Sequence, residues 1–512
     1  MITSVQTQLS KKVELLLEPT ILTKDSEGTY AKECLLSGPY AARRQSHTET
    51  LSIGLIGTYN LIDLAKEWLS ASNSVIESVP GKKLESTFDE RRHKLLFPDF
   101  PGAPVAFAKT LVVEPEFEAK ITLNELAELE RLQSAEYASH LEYLLEDKLK
   151  GIFRVAEKRP DVVVVLLTDQ MYETCHIVGN YHQPLKPRIE ADTAQLDLFS
   201  DFDKLSLNID PKTVEPLSHN FRARLKKIAM APSYNVPIQI IREETLRGNG
   251  TQNFATRTWN LVTGMCYKAG DIPWILGGLD PRACFLGVSF FHKKTADRDL
   301  VLSSMSHLFA NDFNSVILRG EQVAYDYALR SPILTFESAQ SIAERALEEF
   351  LAARNANPNR IVVHKTSRFS PDEIRGFQAV FNDAKLAFDL VSLIKSPLKM
   401  IRWGQYPVPR GTALLIGDSR GHLYTKGFIP ELQTYPGSHV PSPFEVYKAR
   451  GDSSIKTICS DILALTKLNW NTADFCCGVP VTVSFARNVG DVFKEFDETS
   501  SYAPSRYFRF YM

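Results

Sequence analysis

Residues 161–168 read DVVVVLLT, a short run of β-branched and aliphatic residues that follows Pro160. Because apolar side chains on both faces are typical of a strand inside a parallel sheet, the run predicts a buried strand and a new domain that begins near residue 155. Strand-like and helical patterns alternate through the rest of the chain. The predicted strands are 235–241, 283–291, 315–320 and 360–364, the predicted helices are 220–230, 338–354 and one from Pro371, and 412–428 is a predicted hairpin. This alternation predicts an α/β fold.

The composition is that of an ordinary folded protein. The chain has 512 residues, which corresponds to about three domains at roughly 100 to 200 residues each. Apolar residues make up 44% and charged residues 23%, which excludes fibrous and disordered classes. The longest aliphatic run, residues 162–167, is far shorter than the roughly 18 residues of a membrane span, and no long apolar leader opens the chain. The seven cysteines contain no C-x-x-C pair, so neither a disulfide scaffold nor a zinc knuckle is expected. These features predict a cytoplasmic protein with no membrane partner.

The charge is distributed unevenly, although the net charge is only -2. Residues 1–150 carry 17 basic and 23 acidic side chains and end in a predicted amphipathic helix over 123–149. Residues 211–270, here called the basic region, carry nine basic and three acidic side chains. Residues 183–212 show little periodicity and predict a loop or an insertion. The basic region is either a solvated face or a local site for a polyanion.

Four polar residues of the basic region predict a phosphate site. Arg222 and Lys226 are four residues apart, so on a helix they share one face. Gln239 lies inside an apolar strand, where a buried amide needs a partner, and Lys268 ends the next helical stretch. Three cations and an amide suit a terminal phosphate, because charge-assisted hydrogen bonds are about twice as strong as neutral ones. The alternatives are a general basic surface and, for Gln239, an ordinary core amide.

Eight segments occur in the order seen in short prokaryotic Argonautes, which the chain therefore resembles. They are FRARLKKIAM, VPIQIIREETL, YKAGDIPW, FLGVSFF, VVHKTSRF, YPGSHVPSPFEV, LTKLNWN and PVTVSFARNVG. The resemblance covers residues 155–512, and LLLEPTIL and LFPDF are similar to the front of that family. It implies an N-terminal α+β segment over 1–154, a Rossmann-like MID domain over 155–280, an RNase H-like PIWI domain over 281–512, and no PAZ domain.

The resemblance also implies a role for the predicted phosphate site. Arg222, Lys226, Gln239 and Lys268 would bind the 5′-phosphate of a guide strand in the MID domain. Family members commonly have tyrosine or histidine where Arg222 stands. Because arginine keeps a donor there and adds charge, we expect the pocket to bind phosphate, although stacking on the first base is then in question.

Two further sets of contacts are implied in the same way. The C-terminal carboxylate of Met512 would reach the phosphate pocket through a structural Mg²⁺ ion, which Gln239 would also contact. The alternative is a frayed chain end. A helix that carries Thr466, Lys467 and Asn469 would contact the guide backbone, and such contacts position a strand without reading its sequence. For Lys467 the alternative is a surface lysine.

Slicing members of this family cut by two-metal chemistry, which needs clustered carboxylates because Mg²⁺ prefers anionic oxygen. At the three matching positions this chain has Ser289, Thr366 and Arg487. Glu321 lies near where a family glutamate would enter, but one carboxylate cannot hold two magnesium ions. We therefore expect no slicing. The alternative is an RNase H-like nuclease built on other carboxylates. Its candidates are Glu321, Asp418 and Asp461.

The partners implied by the resemblance are a 5′-phosphorylated short guide RNA, a complementary single-stranded DNA target and a separate effector protein. That protein would carry an APAZ region fused to a TIR or Sir2 NAD-consuming domain or to a nuclease, and would form a heterodimer with this chain. Target binding would release the effector as a defence against plasmids or phage. The activated complex would be a higher oligomer. A third hypothesis is a structural scaffold that has lost guide binding.

Overall fold

The computed structural model describes residues 13–41, 49–80, 87–155, 158–179, 220–248, 252–280, 282–294, 299–309, 316–326, 331–404, 406–437, 439–496 and 500–512. The strands are β1 (Val13–Leu15), β2 (Ile21–Leu22), β3 (Glu27–Gly28), β4 (Thr50–Thr58), β5 (Thr110–Val112), β6 (Glu118–Ile121), β7 (Val162–Leu167), β8 (Ile238–Arg242), β9 (Ile275–Leu276), β10 (Ala283–Lys294), β11 (Asp299–Phe309), β12 (Ile317–Asp326), β13 (Ser331–Ile333), β14 (Arg360–Lys365), β15 (Ala387–Lys395), β16 (Thr412–Ile416), β17 (Arg420–Leu423) and β18 (Phe444–Gly451). The helices are α1 (Ala31–Cys34), α2 (Tyr59–Ala71), α3 (Thr87–Leu96), α4 (Ala103–Phe107), α5 (Leu123–Leu129), α6 (Ser134–Val155), α7 (Asp169–Gly179), α8 (Phe221–Ala229), α9 (Glu243–Arg247), α10 (Phe254–Ala269), α11 (Phe336–Arg354), α12 (Pro371–Asp383), α13 (Ile455–Leu465) and α14 (Val481–Phe493).

The larger sheet has ten strands in the order β1-β16-β17-β18-β15-β14-β10-β11-β12-β13. Its centre is parallel, since β14 pairs in parallel with both β10 and β15, and antiparallel strands extend it on either side. Helices α11 and α12 cover one face through Phe350 and Phe377. Helix α14 covers the other face at Gly287, where a Cβ atom would lie 1.9 Å from the Thr482 carbonyl oxygen. This layered sheet is the arrangement expected of an RNase H-like domain.

The smaller sheet is entirely parallel and has the order β5-β4-β7-β8, with β6 also paired to β4. Strand β7 lies between β4 and β8, and all six of its residues are buried, as the run at 162–167 predicts. Strand β4 comes from the N-terminal segment, yet its Ile53 is opposite Val162 of β7. The boundary predicted near residue 155 therefore cuts through this sheet, which begins at Thr50, because local patterning does not show which distant strands pair.

The helix predicted over 123–149 is two helices. Helix α5 begins at a capping box on Thr122 and ends at Leu129, and α6 begins at Ser134. Helix α6 buries an apolar face, including Leu141, against the smaller sheet. The packing role follows from the amphipathic pattern, whereas the break between the two helices does not.

Short strands attach the N-terminal segment to the rest of the chain. Strand β1 forms an edge of the larger sheet beside β16, and β2 pairs with both β3 and β9. Within the described ranges, no helix combines the length and the apolar character that crossing a membrane requires. The loop predicted over 183–212 lies outside the described residues.

Candidate nucleic-acid interface

Helix α8 presents two cations to one cavity. Asn220 caps the start of the helix, since its side-chain oxygen accepts a hydrogen bond from the Ala223 N–H at 3.2 Å. Phe221 is buried against the core. Arg222 and Lys226, one helical turn apart, both line the cavity. The amphipathic pattern of this helix therefore places its charges as the spacing predicts.

Gln239 and Lys268 are joined in the same cavity. Gln239 is on β8, and Lys268 is in the last turn of α10, which ends at Gly270 with a φ of 107°. Lys268 Nζ donates a hydrogen bond to Gln239 Oε1, and Gln239 Nε2 donates to the Ile240 carbonyl oxygen at 3.2 Å. The oxygen and the nitrogen of the Gln239 amide therefore both have hydrogen-bond partners, which fix the orientation of the amide.

All four residues of the predicted phosphate site line one cavity of about 450 Å³. Met512 and several residues between Asn469 and Val479, here called the cavity wall, line its other sides. The cavity is also lined by polar residues that the sequence analysis did not predict. These are Lys426, Asn471, Asp474, Ser484, Asn488 and Asp491. They come from segments distant from α8 in the chain, so no local pattern could have identified them.

The lysines of the cavity lie in a positive environment. Burial, and then the charge of Arg222, lower the pKa of Lys226 to about 7, while Asp491 acts in the opposite direction. Burial together with Lys226 and Arg222 lowers the pKa of Lys268 well below its ordinary value. A bound dianion would offset the repulsion among these cations and restore their protons. The cavity therefore has the electrostatic character of an anion site.

The C-terminal tail is packed against this cavity. Lys226 Nζ donates a hydrogen bond to the Tyr511 carbonyl oxygen at 2.9 Å. The Tyr511 hydroxyl donates to the Ser505 carbonyl oxygen at 2.5 Å, and the rings of Phe510 and Tyr511 are buried. These contacts place the last residue, Met512, in the lining of the cavity and disagree with a frayed chain end.

Two oxygen groups in the cavity fit a Mg²⁺ ion. Mg²⁺ binds oxygen and commonly uses one or two carboxylates together with substrate phosphates. Met512, whose carboxylate is one predicted ligand, lines the cavity, and the Gln239 amide oxygen has two lone pairs, one of which accepts from Lys268. No group of three or more His, Cys, Asp and Glu side chains in the described part of the chain could hold a metal ion. Asp474 and Asp491 also line the cavity, so an ion there could take a carboxylate from either of them together with a bound phosphate.

Thr466, Lys467 and Asn469, which are predicted to lie on a helix, follow the end of α13 at Leu465. Thr466 and Lys467 are buried, and Thr466 Oγ1 accepts a hydrogen bond from Arg410 Nη2 at 2.8 Å. The polar groups of these two residues bind inside the protein, whereas the prediction places them at the guide backbone. Asn469 does line the cavity, and its amide donates to Cys477 Sγ at 2.9 Å.

Lys467 and Arg410 share the carboxylate of Glu18 inside the protein. Glu18 Oε1 lies 2.6 Å from Lys467 Nζ and 3.0 Å from Arg410 Nε. Although burial acts to raise it, the charges of Arg410 and Lys467 hold the pKa of Glu18 below its ordinary value. Lys467 Nζ also lies 3.5 Å from the centre of the Phe475 ring, and Phe475 stands in the chain between Asp474 and Cys476 of the cavity wall. The N-terminal segment thus helps to position that wall.

The three positions that would carry catalytic carboxylates lie in neighbouring elements. Ser289 is on β10, and Thr366 directly follows β14. These strands pair in parallel, with Val288 opposite Lys365. Arg487 is on α14, which packs on β10. The three elements are therefore neighbours, and two of the three positions hold hydroxyl side chains while the third holds arginine.

The carboxylates of the alternative nuclease are on widely separated elements. Glu321 is on β12, and Asp418 is exposed in the turn between β16 and β17. Strands β12 and β17 are six positions apart in the sheet, which is about 29 Å at roughly 4.8 Å per strand. Asp461 binds Arg360 Nη1 at 2.7 Å, at the opposite end of β14 from Thr366. Two-metal sites need ions about 3.5 to 4 Å apart, so these three carboxylates cannot form one.

Known proteins resemble the chain in sequence and in structure. No family model matches it. A Protein argonaute of Aquifex aeolicus is 24% identical over 266 residues, which cover 50% of this chain and 33% of that protein. The structure of Clostridium butyricum Argonaute bound to a guide DNA and a 19-mer target DNA has a TM-score of 0.61 at 13% identity and covers 95% of this chain and 54% of that chain. Marinitoga piezophila Argonaute in complex with 5′ OH guide RNA has a TM-score of 0.51 at 12% identity and covers 98% of this chain and 60% of that chain.

The structural likeness extends over both sheets, since it covers nearly all of this chain. The chain spans a third of the curated relative and little more than half of the two solved structures. At these identities the structures establish architecture rather than activity. The chain has the α/β MID–PIWI fold of the Argonaute proteins.

Proposed function

We propose that this chain binds a short 5′-phosphorylated guide strand and uses it to recognise a complementary single-stranded target. The observation that carries the proposal is the cavity in which Arg222, Lys226, Gln239 and Lys268 meet. Solved Argonautes of the same fold contain a guide DNA with its target, or a guide RNA. Recognition of the target sequence would come from base pairing with the guide rather than from side chains.

The cavity suits a terminal phosphate better than an internal one. A terminal phosphate carries about -1.5 to -2 charge at pH 7 and offers three acceptor oxygens, whereas an internal phosphodiester carries a single charge. Arg222 offers a planar set of donors, Lys226 a compact charge, and Lys268 an ammonium oriented by Gln239. A Mg²⁺ ion held by Met512 and Gln239 would add positive charge at the same phosphate.

Removal of charge from the cavity tests this assignment. We expect Arg222→Gln combined with Lys226→Gln to weaken binding of a 5′-phosphorylated guide about 100-fold, since two charge-assisted hydrogen bonds contribute about 3 kcal/mol. Binding of the same guide with a 5′-hydroxyl should change little. Fluorescence anisotropy with the two guides measures both affinities.

Two other cations of α8 provide the matched control. Arg224 lies 3.2 Å from Glu142 Oε2, and Lys227 Nζ donates to the Glu495 carbonyl oxygen at 2.7 Å. Arg224→Gln with Lys227→Gln changes the net charge equally and leaves the cavity residues in place. Equal losses for phosphorylated and hydroxyl guides in the cavity variant would mean a general basic surface and would refute the proposal.

We further propose that the chain binds a target without cutting it. The support is the presence of Ser289, Thr366 and Arg487 where two-metal chemistry needs carboxylates. Incubation of guide-loaded protein with a matched target and Mg²⁺ or Mn²⁺ tests this directly. Guide-dependent cleavage at one fixed phosphate would contradict the proposal and would require carboxylates other than Glu321, Asp418 and Asp461.

A binding protein without an active site needs a separate protein to act on the signal. We propose a heterodimer with an APAZ-containing effector that has a TIR, Sir2 or nuclease domain, activated when a guide RNA pairs with single-stranded DNA of a plasmid or phage. The support is the order of sequence segments shared with short Argonautes. Sequencing the nucleic acid that copurifies with the chain, and identifying the copurifying protein by mass, tests both parts. Purified protein that carries neither would favour the scaffold hypothesis.

A further inference from the structure

Three large apolar side chains are exposed on the loop between β15 and β16, here called the aromatic loop (residues 396–404 and 406–409). Trp403 is 89% exposed, Ile401 77% and Tyr406 63%. The other four of the chain's five tryptophans are buried. These are Trp68, Trp259, Trp274 and Trp470. Aromatic rings contribute most of their stabilisation when they are covered, so a cluster of exposed rings indicates an interaction site.

The aromatic loop is also basic. From residue 396 to residue 409 the chain has two basic residues and no Asp or Glu. Lys399 and Arg402 belong to the loop itself, and Arg402 is exposed beside Trp403 in the sequence. Exposed rings interleaved with cations are typical of surfaces for single-stranded nucleic acid, where the cations follow the phosphates and the rings stack on bases. The uniform charge of the loop therefore favours a polyanionic partner.

The aromatic loop is connected to the guide cavity by a short segment. The Met400 N–H donates a hydrogen bond to the Tyr424 hydroxyl at 2.8 Å. Lys426, only two residues further along, lines the cavity. Between them, Thr425 Oγ1 donates to the carbonyl oxygen of Gly478 in the cavity wall at 2.7 Å. Only Thr425 separates Tyr424, which contacts the aromatic loop, from Lys426, so the loop and the cavity lining are held by the same short segment.

We propose that the aromatic loop is a stacking platform for the guide strand downstream of its phosphorylated end, with Trp403 as the main ring and Tyr406 as the second. This inference rests on the proposed function, because the strand must begin in the cavity. Stacking accepts every base, since each base has a π face. A platform of this kind stabilises guides of any sequence, which a protein programmed by its guide requires.

Substitution of Trp403 tests the platform without a risk to folding, because the side chain is exposed. Trp403→Ala should weaken binding of a 5′-phosphorylated 18-nucleotide guide by about 5-fold to 100-fold. Trp403→Phe should retain most of the affinity, since the ring remains. A 5′-phosphorylated dinucleotide, measured by competition, should bind both variants as it binds the unmodified protein. Tyr143→Ala removes an exposed ring of α6 and is the control.

Fluorescence provides an independent readout, because Trp403 is the exposed one of the five tryptophans. Binding of the 18-nucleotide guide should protect it from acrylamide quenching. Unchanged affinity in Trp403→Ala, or a loss of effector protein binding with guide binding intact, would overturn the platform and leave the phosphate cavity standing. Failure of the unmodified protein to bind any phosphorylated oligonucleotide would overturn both.

Discussion

Guide binding should depend on pH through Lys226. In the free protein, burial and the charge of Arg222 lower the pKa of Lys226 to about 7. A 5′-phosphate beside Nζ adds an opposite charge and raises that pKa, so above pH 7 the complex holds a proton that the free protein has lost. Titration of Lys226 therefore leaves the affinity for the guide unchanged below about pH 7. Above pH 7 it lowers that affinity by up to tenfold per pH unit.

The expected magnitude follows from the same pKa. Between pH 7 and pH 9, a free pKa of about 7 gives a loss of about 50-fold in affinity, or about 2.3 kcal/mol, if the bound lysine stays protonated. The phosphate adds little in this window, because its second pKa is about 6 and it is already a dianion. Burial and the charges of Lys226 and Arg222 also lower the pKa of Lys268, so Lys268 adds to the slope both in the unmodified protein and in a Lys226→Arg variant.

The assay compares Lys226→Arg with the unmodified protein by anisotropy at constant ionic strength. Arginine stays protonated throughout the range, so this variant should lose the part of the slope that belongs to Lys226 and keep its affinity at pH 7 within about tenfold. A 5′-hydroxyl guide should show no such slope with either protein. Equal slopes for the two proteins, or for the two guides, would refute the argument.

Three further results are expected. Glu18→Gln leaves buried cations without their carboxylate, which costs about 3 to 5 kcal/mol of stability, so the melting temperature should fall by several degrees. The melting temperature should recover in part in a Glu18→Gln, Lys467→Met double variant. An unchanged melting temperature in Glu18→Gln would contradict the network. Gly287→Ala should also lower the melting temperature by several degrees, because its Cβ would lie 1.9 Å from a helix carbonyl oxygen, whereas Gly151→Ala, with no atom within 4 Å, should not. Extension of the chain beyond Met512 should abolish any Mg²⁺ dependence of binding to the phosphorylated guide, measured with and without EDTA; a retained dependence would place the ion elsewhere.

Much of the fold could be predicted because burial leaves a local pattern. Strand β7 is apolar throughout because both of its faces are covered, and α11 and α12 begin close to where their patterns predict. Arg222 and Lys226 share a face for the same reason, since the helical period alone places them together. These are properties of a few consecutive residues, so reading them requires no knowledge of the rest of the chain.

Lys467 shows where such reading fails. Nothing in LTKLNWN distinguishes a lysine that faces a bound strand from one that is buried, and only packing reveals that its ammonium binds Glu18 near the other end of the chain. The pairing of β4 with β7 is hidden from such reading in the same way, because it joins residues about a hundred positions apart. Pairing of this kind is determined by long-range hydrogen bonding and packing, which local periodicity does not record.

The sequence by itself determined the α/β class, the shared face of Arg222 and Lys226, and the lack of carboxylates at 289, 366 and 487. Only the tertiary structure decided that Gln239, Lys268 and the C-terminal tail close around those cations. The physical reason is distance along the chain. A helix or strand is specified by neighbours within a few residues, whereas a cavity is specified by side chains that only the packing of whole elements brings together.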